Sequence, residues 1–441
     1  MKRTLSFVIL FLFATNIAIA QEAVRKGWMG ANGSFSERGM ALDTAIPGST
    51  IHTMGLRKGD TIVVLNGTMI VDVSAYNRVA SEIRTGDKVV VKFKRGSNTR
   101  EKRSIAVMKP FDTLPNGEVV YGWAQMGNCK LRTIVRKPKR SQSMPAILFI
   151  PGYNCGSVEG YGQGSYGKLI NTWISNGFAV VTIEKTGLGD SYGCVSCMDA
   201  DLATDIQVFE TGYQFMERLP YADKNNLFIF GHSMGGVIAP IIAEKHSPRG
   251  VIAFATVYRP WSEFLLEMHR VQWPLDGKSY AETEDRTRLI QKVYYEYFRL
   301  KKSPAELYEN PEYKDLVASE LEYTPGAQHM WGRHWRFWQQ LDSVDLARSW
   351  SNVNAKVLSV FGGADFVACS ELEHELIVRA VNSTHPGNAE HLNIADVDHL
   401  MIRNPDWPSA HKHFMDAAYK KDNFHQGFAD KLTGWMKGVM Q

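Results

Sequence analysis

The sequence predicts an α/β protein, in which a mostly parallel sheet carries helices on both faces and follows a small β-rich domain. From residue 118 onward, short apolar runs alternate with stretches of helical spacing, a pattern typical of parallel sheets. Runs such as residues 146–150 are wholly apolar, as in strands buried on both faces. The run at 227–230 leads directly into a Gly-x-Ser-x-Gly turn at 231–235, which predicts a strand followed at once by a helix.

Composition excludes several classes of protein. The chain has 441 residues, of which 44% are apolar and 22% charged, so it is neither mainly disordered nor a collagen-like fibre or coiled coil. Its 50 Lys and Arg against 46 Asp and Glu leave a net charge of +4, which provides no basic surface for nucleic acid. We therefore expect two or three globular domains and no nucleic-acid partner.

The N-terminus predicts export. Lys2 and Arg3 precede an apolar core at 5–13, and residues 18–20 (Ala-Ile-Ala) fit the small-x-small cleavage rule. We interpret residues 1–20 as a signal peptide and expect a periplasmic or extracellular protein. An uncleaved anchor is the alternative, although polar residues leave the apolar run short of the ~20 residues that a membrane span needs. No later segment predicts a span.

The cysteines are too few for a disulfide-dense fold and odd in number, so at least one has no partner within the chain. Cys194-x-x-Cys197 lacks the second pair that a zinc site needs and the flanking sequence of a redox motif. A structural disulfide or two free thiols are the remaining interpretations, and no metal or cofactor is predicted. The five positions are Cys129, Cys155, Cys194, Cys197 and Cys369.

Residues 22–108 predict the small β-rich domain. Its expected helix, 74–83, begins at Ser74 as N-cap. The expected strands are 39–42, 61–65, 88–93 and 103–108.

Three stretches of this domain carry a family resemblance: Gly-Leu-Arg-Lys-Gly-Asp at 55–60, Leu-Asn-Gly at 65–67 and Thr-Gly-Asp at 85–87. Together they resemble a bacterial PDZ domain of the kind attached to exported proteases. In that family the carboxylate-binding loop stands where this chain has Trp28, Met29 and Gly30. The resemblance implies that a peptide or protein C-terminus adds to a sheet edge there, and a spacer without a ligand is the alternative.

A linker at 109–117, with two Pro and one Gly, precedes the second domain at 118–441. The first two of its expected strands form an antiparallel pair, and the others alternate with helices. These strands are 119–125, 130–136, 146–150, 178–183, 227–230, 250–257, 356–361 and 392–397.

The turn at 231–235 predicts a nucleophilic serine, Ser233. A sharp strand-to-helix turn projects the hydroxyl from the sheet, and glycines flank it because a Cβ there would collide with neighbouring backbone. A hydroxyl needs a base to remove its proton, and that base needs an orienting carboxylate.

With this turn in its strand–helix context, the second domain resembles the α/β-hydrolase family. The resemblance implies a mostly parallel eight-stranded sheet and partners in the order serine, acid, histidine, each just past a strand. Asp365 and His399 stand at such positions, which implies a Ser233–His399–Asp365 triad. The alternatives are that Asp365 caps the following helix, or that Asp396 or Asp398 is the acid.

The resemblance also implies an oxyanion hole made by two backbone N–H groups, those of Met234 and Tyr153. The His-Gly usual in the family is replaced here by Pro151-Gly152, and the Tyr153 phenol is an alternative donor. Since the strands before these loops are neighbours in the family, a disulfide from Cys155 to Cys194 or Cys197 is implied.

About a hundred residues separate two of the expected strands, far more than an ordinary connection. We interpret residues 259–350 as an inserted cap that roofs the site, with most of its six tryptophans in the core and one or two reaching the pocket. The sequence thus predicts an exported serine hydrolase that cleaves a small-molecule carboxylic ester. The alternatives are a serine peptidase and a PDZ-bearing binding protein without catalysis.

Overall fold

Two units make up the chain, Met1–Lys109 and Pro110–Gln441. The computed structural model describes residues 25–139 and 143–440. The predicted signal peptide, residues 1–20, lies outside the described residues.

The described residues of the first unit form an antiparallel sheet with two helices. The strands follow the order β1-β2-β3-β5-β6, and β4 pairs with β3. The elements are β1 (Ala31–Ser36), β2 (Gly39–Ala45), α1 (Thr50–Thr53), β3 (Thr61–Leu65), β4 (Thr68–Met69), α2 (Val73–Glu82), β5 (Lys88–Arg95) and β6 (Asn98–Ile105).

Three details of this unit differ from the expectation. Helix α2 is capped by Asp72, whose carboxylate accepts the Ala75 N–H at 2.7 Å, and not by Ser74. Strand β6 begins directly after a two-residue turn and ends at Ile105, so the expected 103–108 strand is displaced. Strand β1 was not expected, because its small and polar residues carry no apolar pattern.

The second unit alternates strands and helices. Its strands are β7 (Gly117–Met126), β8 (Cys129–Pro138), β9 (Met144–Ile150), β10 (Ala179–Ile183), β11 (Ala222–His232), β12 (Gly250–Phe254), β13 (His329–Met330), β14 (Arg333–His334), β15 (Lys356–Gly362) and β16 (Ala389–Ile394). Its helices outside the cap are α3 (Gly164–Ser175), α4 (Leu202–Glu217), α5 (Met234–His246), α12 (Glu371–Thr384), α13 (Trp407–His413), α14 (Ala417–Asp422) and α15 (Gln426–Met440). The segment expected as a cap holds β13, β14, α6 (Trp261–Leu275), α7 (Tyr280–Tyr294) with a π-helical turn (Tyr295–Arg299), α8 (Pro304–Tyr308), α9 (Lys314–Ser319), α10 (Trp335–Asp342) and most of α11 (Leu346–Asn352).

Eight strands form one sheet in the order β16-β15-β12-β11-β9-β10-β8-β7. The six from β16 to β10 are parallel, and β8 pairs antiparallel with both β10 and β7. The carboxyl ends of the parallel strands therefore meet at one edge of the sheet. The segments after β9, β11, β15 and β16 begin there.

Strand β9 shows why these strands are wholly apolar. Ala146, Leu148 and Ile150 pack on the face covered by α4 and α5, whereas Ile147 and Phe149 pack on the face covered by α3 and α15. Successive side chains of a strand point to opposite faces. Because both faces are covered, the strand is buried at every position from Ala146 to Ile150.

Two strands end earlier than expected. Strand β12 stops at Phe254, since Ala255 adopts a left-handed φ of 55°. Strand β16 spans 389–394 and not 392–397. It lies at the sheet edge and is mostly half-buried or exposed, so polar residues that interrupt an apolar run are tolerated within it.

The cysteines form two disulfides, Cys129–Cys194 and Cys155–Cys197, and Cys369 is a buried free thiol. The Cys-x-x-Cys pair is therefore not bonded to itself; each member joins a different segment. The bond from Cys155 confirms the disulfide that the family resemblance implied for this loop.

Within residues 25–139 and 143–440, no helix combines the length and apolarity needed to cross a bilayer.

Candidate active site

Ser233 occupies a strained turn between β11 and α5. Its backbone lies at φ 56° and ψ −123°, a left-handed conformation that a non-glycine residue rarely adopts. The turn is held on both sides, since the Ser233 N–H donates to the Phe254 carbonyl at 2.9 Å and its carbonyl accepts the Gly236 N–H at 2.8 Å. The surroundings thus fix the serine at the carboxyl end of the sheet.

The glycines around Ser233 are required by close backbone approach. A Cβ on Gly231 would stand 2.4 Å from the Gly235 carbonyl oxygen, and a Cβ on Gly235 would stand 2.0 Å from the Ile150 carbonyl oxygen. Both distances lie far inside van der Waals contact. The expected collision of a Cβ with neighbouring backbone is thus confirmed at both positions.

Asp365 and His399 are hydrogen-bonded to each other. The His399 Nδ1 lies 2.9 Å from the Asp365 Oδ2. The Asp365 Oδ1 accepts the N–H groups of Val367 and Ala368, each at 2.8 Å. Asp365 is fully buried, and His399 is buried but for a small part of its surface. The carboxylate therefore holds one nitrogen of the imidazole and leaves Nε2 for other contacts.

Electrostatics favours the charged form of both groups. Burial would raise the pKa of Asp365, but the charge of His399, its hydrogen bond and the two backbone N–H groups lower that pKa below its ordinary value. Burial would lower the pKa of His399, but the charge and hydrogen bond of Asp365 raise it above 6.5, with help from Asp398. The imidazole thus accepts a proton more readily than an isolated histidine.

The alternative acids have other roles. Asp398 accepts the N–H groups of Leu400 and Ile402, both at 2.8 Å, and burial raises its pKa to about 6. It orders the turn that carries His399.

Asp396 pairs with His425 at 3.0 Å and with Arg403 at 3.3 Å. Asp365 is not the cap of α12, whose N-cap is Ser370. Of these three carboxylates, the one hydrogen-bonded to the His399 ring is that of Asp365.

Ser233 and His399 line a common cavity of about 410 Å³, together with Tyr153 and Met234. Four tryptophans also line it, more than the one or two expected. They come from α6, the β13–β14 turn and α10, which face the sheet edge. They are Trp261, Trp273, Trp331 and Trp338.

The expected oxyanion donors lie on either side of Ser233. Met234 is the first residue of α5. A Cβ built on Gly152, just before Tyr153, would lie 3.7 Å from the Ser233 Oγ. In the described part of the chain, neither the Tyr153 nor the Met234 N–H has an acceptor. The Tyr153 ring packs edge-on against Trp338 with centroids 5.1 Å apart.

His232 is a neighbour of the site that the sequence left without a role. Its Nε2 donates to the His399 carbonyl at 2.8 Å, and the Tyr166 hydroxyl meets its Nδ1 at 2.6 Å. Burial first, and then the charge of His399, lowers the pKa of His232 to about 3, so the ring is neutral. In the sequence, only the position of His232 directly before Ser233 indicated that it lies near the site.

In the first unit, the backbone of Trp28, Met29 and Gly30 is partly engaged. Their carbonyls accept N–H groups from Thr50, Ile51 and Ile46, in that order. The N–H groups of Met29 and Gly30 have no acceptor among the described residues. The Met29 side chain belongs to the core of this unit.

The described residues contain no cluster of three or more His, Cys, Asp or Glu arranged to hold a metal ion.

The chain is similar to known hydrolases. A sequence profile of the family described as Serine aminopeptidase, S33, matches residues 155–386, more than half of the chain. Esterase EstD from Thermotoga maritima is 22% identical over 302 residues, which are 68% of this chain and 63% of that protein. The chain thus spans less than two thirds of this curated relative.

Two solved structures are also similar to part of this chain. Est1E from Butyrivibrio proteoclasticus is 13% identical, with a TM-score of 0.45, and the match covers 73% of this chain and 98% of that one. An acylaminoacyl peptidase from Pyrococcus horikoshii is 12% identical, with a TM-score of 0.43, and the match covers 80% of this chain and 48% of that one.

Replacing Asp365 with Asn is expected to lower the pKa of His399 below 6.5. The charge that raises it is then lost, and burial, which lowers it, remains. NMR titration of the His399 imidazole measures the shift. Asp396→Asn is the control, because Asp396 pairs with His425 and not with His399. An unchanged His399 titration in D365N would contradict the assignment.

Proposed function

The chain belongs to the serine aminopeptidase S33 family of α/β-hydrolases. From this premise we propose that it is a serine hydrolase, which cleaves small carboxylic esters through Ser233, His399 and Asp365. One observation carries the proposal: the buried Asp365 carboxylate lies 2.9 Å from the His399 ring, and that ring shares a cavity with Ser233.

In the proposed first step, the Ser233 Oγ attacks the ester carbonyl while the His399 Nε2 takes the hydroxyl proton. Asp365 holds the Nδ1–H and stabilises the imidazolium that forms. The carbonyl oxygen becomes an oxyanion, stabilised by the N–H groups of Met234 and Tyr153. His399 then gives its proton to the leaving alcohol, and an acyl-Ser233 ester remains.

The second step reverses these roles with water. His399 takes a proton from a water molecule, whose oxygen attacks the acyl carbonyl, and the resulting tetrahedral species collapses. The carboxylic acid leaves and Ser233 regains its proton from His399. Each proton removed is returned, so no cofactor enters the cycle.

The cavity supports a small, partly apolar substrate. Its volume of about 410 Å³ is in the range of small-molecule sites, and the cap tryptophans supply apolar surface. The 22% identity to a protein named an esterase supports an ester as the scissile group.

Ser233→Ala is expected to abolish labelling by a fluorophosphonate probe and to lower kcat for short p-nitrophenyl esters by about 10⁴-fold or more, because the attacking oxygen is lost. Ser383→Ala, an exposed position on α12, is the control and should retain wild-type rates. Folded wild-type protein that neither labels nor turns over these esters would contradict the proposal.

A second candidate, peptide hydrolysis, is favoured by the charge of the cavity. Asp276, Glu320 and Glu322 line it, and its lining includes no Lys or Arg. Glu320 is hydrogen-bonded to Arg286, whereas exposed Glu322 has no ion pair within the described residues. A substrate with a free protonated amino group is attracted to such a site.

Glu322→Gln is expected to lower kcat/KM for an aminoacyl p-nitroanilide by about fivefold, since an exposed ion pair contributes up to ~1 kcal/mol. The N-acetylated anilide should be unaffected. Glu309→Gln, an exposed cap glutamate outside the cavity lining, is the control. Absence of any anilide turnover by the wild type eliminates this candidate.

Export is part of the proposal. It rests on residues 1–20 and is supported by the two disulfides, which persist in oxidising compartments. Sequencing the N-terminus of the secreted protein should give Gln21, and a retained Met1 would contradict it.

Peptide binding at Trp28, Met29 and Gly30 stays a prediction, tested by comparing peptides with free and amidated C-termini.

A further inference from the structure

The loop after β9 is held from behind by two buried cations. The Lys185 Nζ donates to the Gly152 carbonyl at 2.8 Å and to the Asn154 carbonyl at 3.2 Å. The Arg333 Nη1 donates to the Tyr153 carbonyl at 2.9 Å. Three consecutive carbonyl oxygens thus point toward buried positive charge.

These contacts set the direction of the Tyr153 N–H. A trans peptide places its C=O and N–H on opposite sides, and the described residues contain no cis peptide bond. Because the Gly152 carbonyl points to Lys185, the Tyr153 N–H of the same peptide points away from it. Gly152 lies against Ser233 and Tyr153 lines the cavity, so this peptide stands at the cavity.

A carboxylate of α4 links the two cations. The Asp205 Oδ2 lies 2.9 Å from the Arg333 Nη1 and 3.5 Å from the Lys185 Nζ. All three side chains are 4% exposed or less. Burial first, with the charge of Arg333, lowers the pKa of Lys185 to about 8, although Asp205 opposes this.

Arg333 brings the cap into this cluster. It lies on β14, and its guanidinium also donates to the Ala200 carbonyl at 3.2 Å and packs 4.1 Å from the centroid of the Phe337 ring. Two further anchors of the loop, Glu184 on the Val158 N–H and the Cys155–Cys197 bond, come from outside the cap, and the cap adds the packing of Trp338 on the Tyr153 ring. Arg333 is therefore the cap's hydrogen bond to the Tyr153–Asn154 peptide, which directly follows the peptide that carries the Tyr153 N–H.

We infer that Arg333 is a positioning residue through which the cap fixes the Tyr153 N–H as the second oxyanion donor. The inference rests on the proposed ester hydrolysis and deepens it, because the oxyanion hole is then complete only while the cap holds the loop. Arg333 touches neither the reacting atoms nor the substrate. It acts through the Tyr153 carbonyl and through Asp205, which also contacts the Lys185 that holds the Gly152 carbonyl.

Arg333→Lys tests this role. A lysine keeps a positive charge beside Asp205, but its single ammonium does not span Asp205, the Tyr153 carbonyl and the Ala200 carbonyl as the guanidinium fork does. We expect kcat for p-nitrophenyl esters to fall about tenfold or more, with KM within about threefold of wild type, because an oxyanion donor acts mainly in the transition state.

A transition-state mimic separates positioning from packing. The Ser233 oxygen adds to a trifluoromethyl ketone, and the resulting tetrahedral adduct carries an oxyanion. The matching methyl ketone only fills the cavity. R333K is expected to lose about tenfold in affinity for the first and to keep its affinity for the second. Equal affinity of R333K and wild type for the trifluoromethyl ketone would overturn the inference.

Arg132→Lys is the matched control. Arg132 is a buried arginine of the same unit, and its guanidinium pairs with Asp190 and donates to the Gly122 carbonyl. R132K should lower the melting temperature without the loss in kcat. Equal losses in kcat in R132K and R333K would overturn the inference.

If R333K does not fold, Arg333→Gln is the second variant. It leaves Lys185 and Asp205 as a pair of opposite charges, and we again expect a lower kcat with KM close to that of the wild type. Wild-type turnover in the same assay identifies which idea fails. An active wild type with an unaffected R333K or R333Q overturns the positioning role alone. A wild type that neither labels nor turns over ester overturns the proposed function and the positioning role with it.

Discussion

The site depends on how closely α5 approaches the end of β9. The Gly235 Cα lies so near the Ile150 carbonyl that no side chain fits between them. This approach brings the strained turn of Ser233 against Gly152 at the start of the next loop. The nucleophile and the expected oxyanion loop are thus positioned by one steric constraint, which the sheet supplies because β9 and β11 are parallel neighbours.

Around this backbone frame, buried charges orient polar groups on two sides. Asp365, held by two backbone N–H groups, orients His399. The Lys185–Asp205–Arg333 cluster orients the peptides on either side of Tyr153. A buried charge is tolerated only when it is paired or hydrogen-bonded, so each of these groups has few alternative positions. Groups with few alternative positions remain where a reaction at Ser233 would need them.

Local sequence patterns were sufficient to predict most strands of the large sheet. Strand β11 and the turn at Ser233 follow from an apolar run and two glycines, and the order of Ser233, Asp365 and His399 along the chain follows from the family resemblance. Strand β16 was displaced because an edge strand has exposed positions, so its apolar residues do not mark its ends. The number of cap tryptophans that line the cavity was predicted too low, because helical spacing does not indicate which residues face a cavity. Asp205 and Arg333 are 128 residues apart, and no local pattern connects them.

Two imidazoles, those of His399 and His232, are neighbours at the site, with ring centroids 5.0 Å apart. Their pKa values are shifted in opposite directions. The carboxylate of Asp365 raises the pKa of His399, whereas burial and then the charge of His399 lower the pKa of His232 to about 3. Had both rings titrated in the same range, a positive charge on one would repel a proton from the other. Because the His232 ring stays neutral, His399 accepts and releases protons without repulsion from a charge on His232.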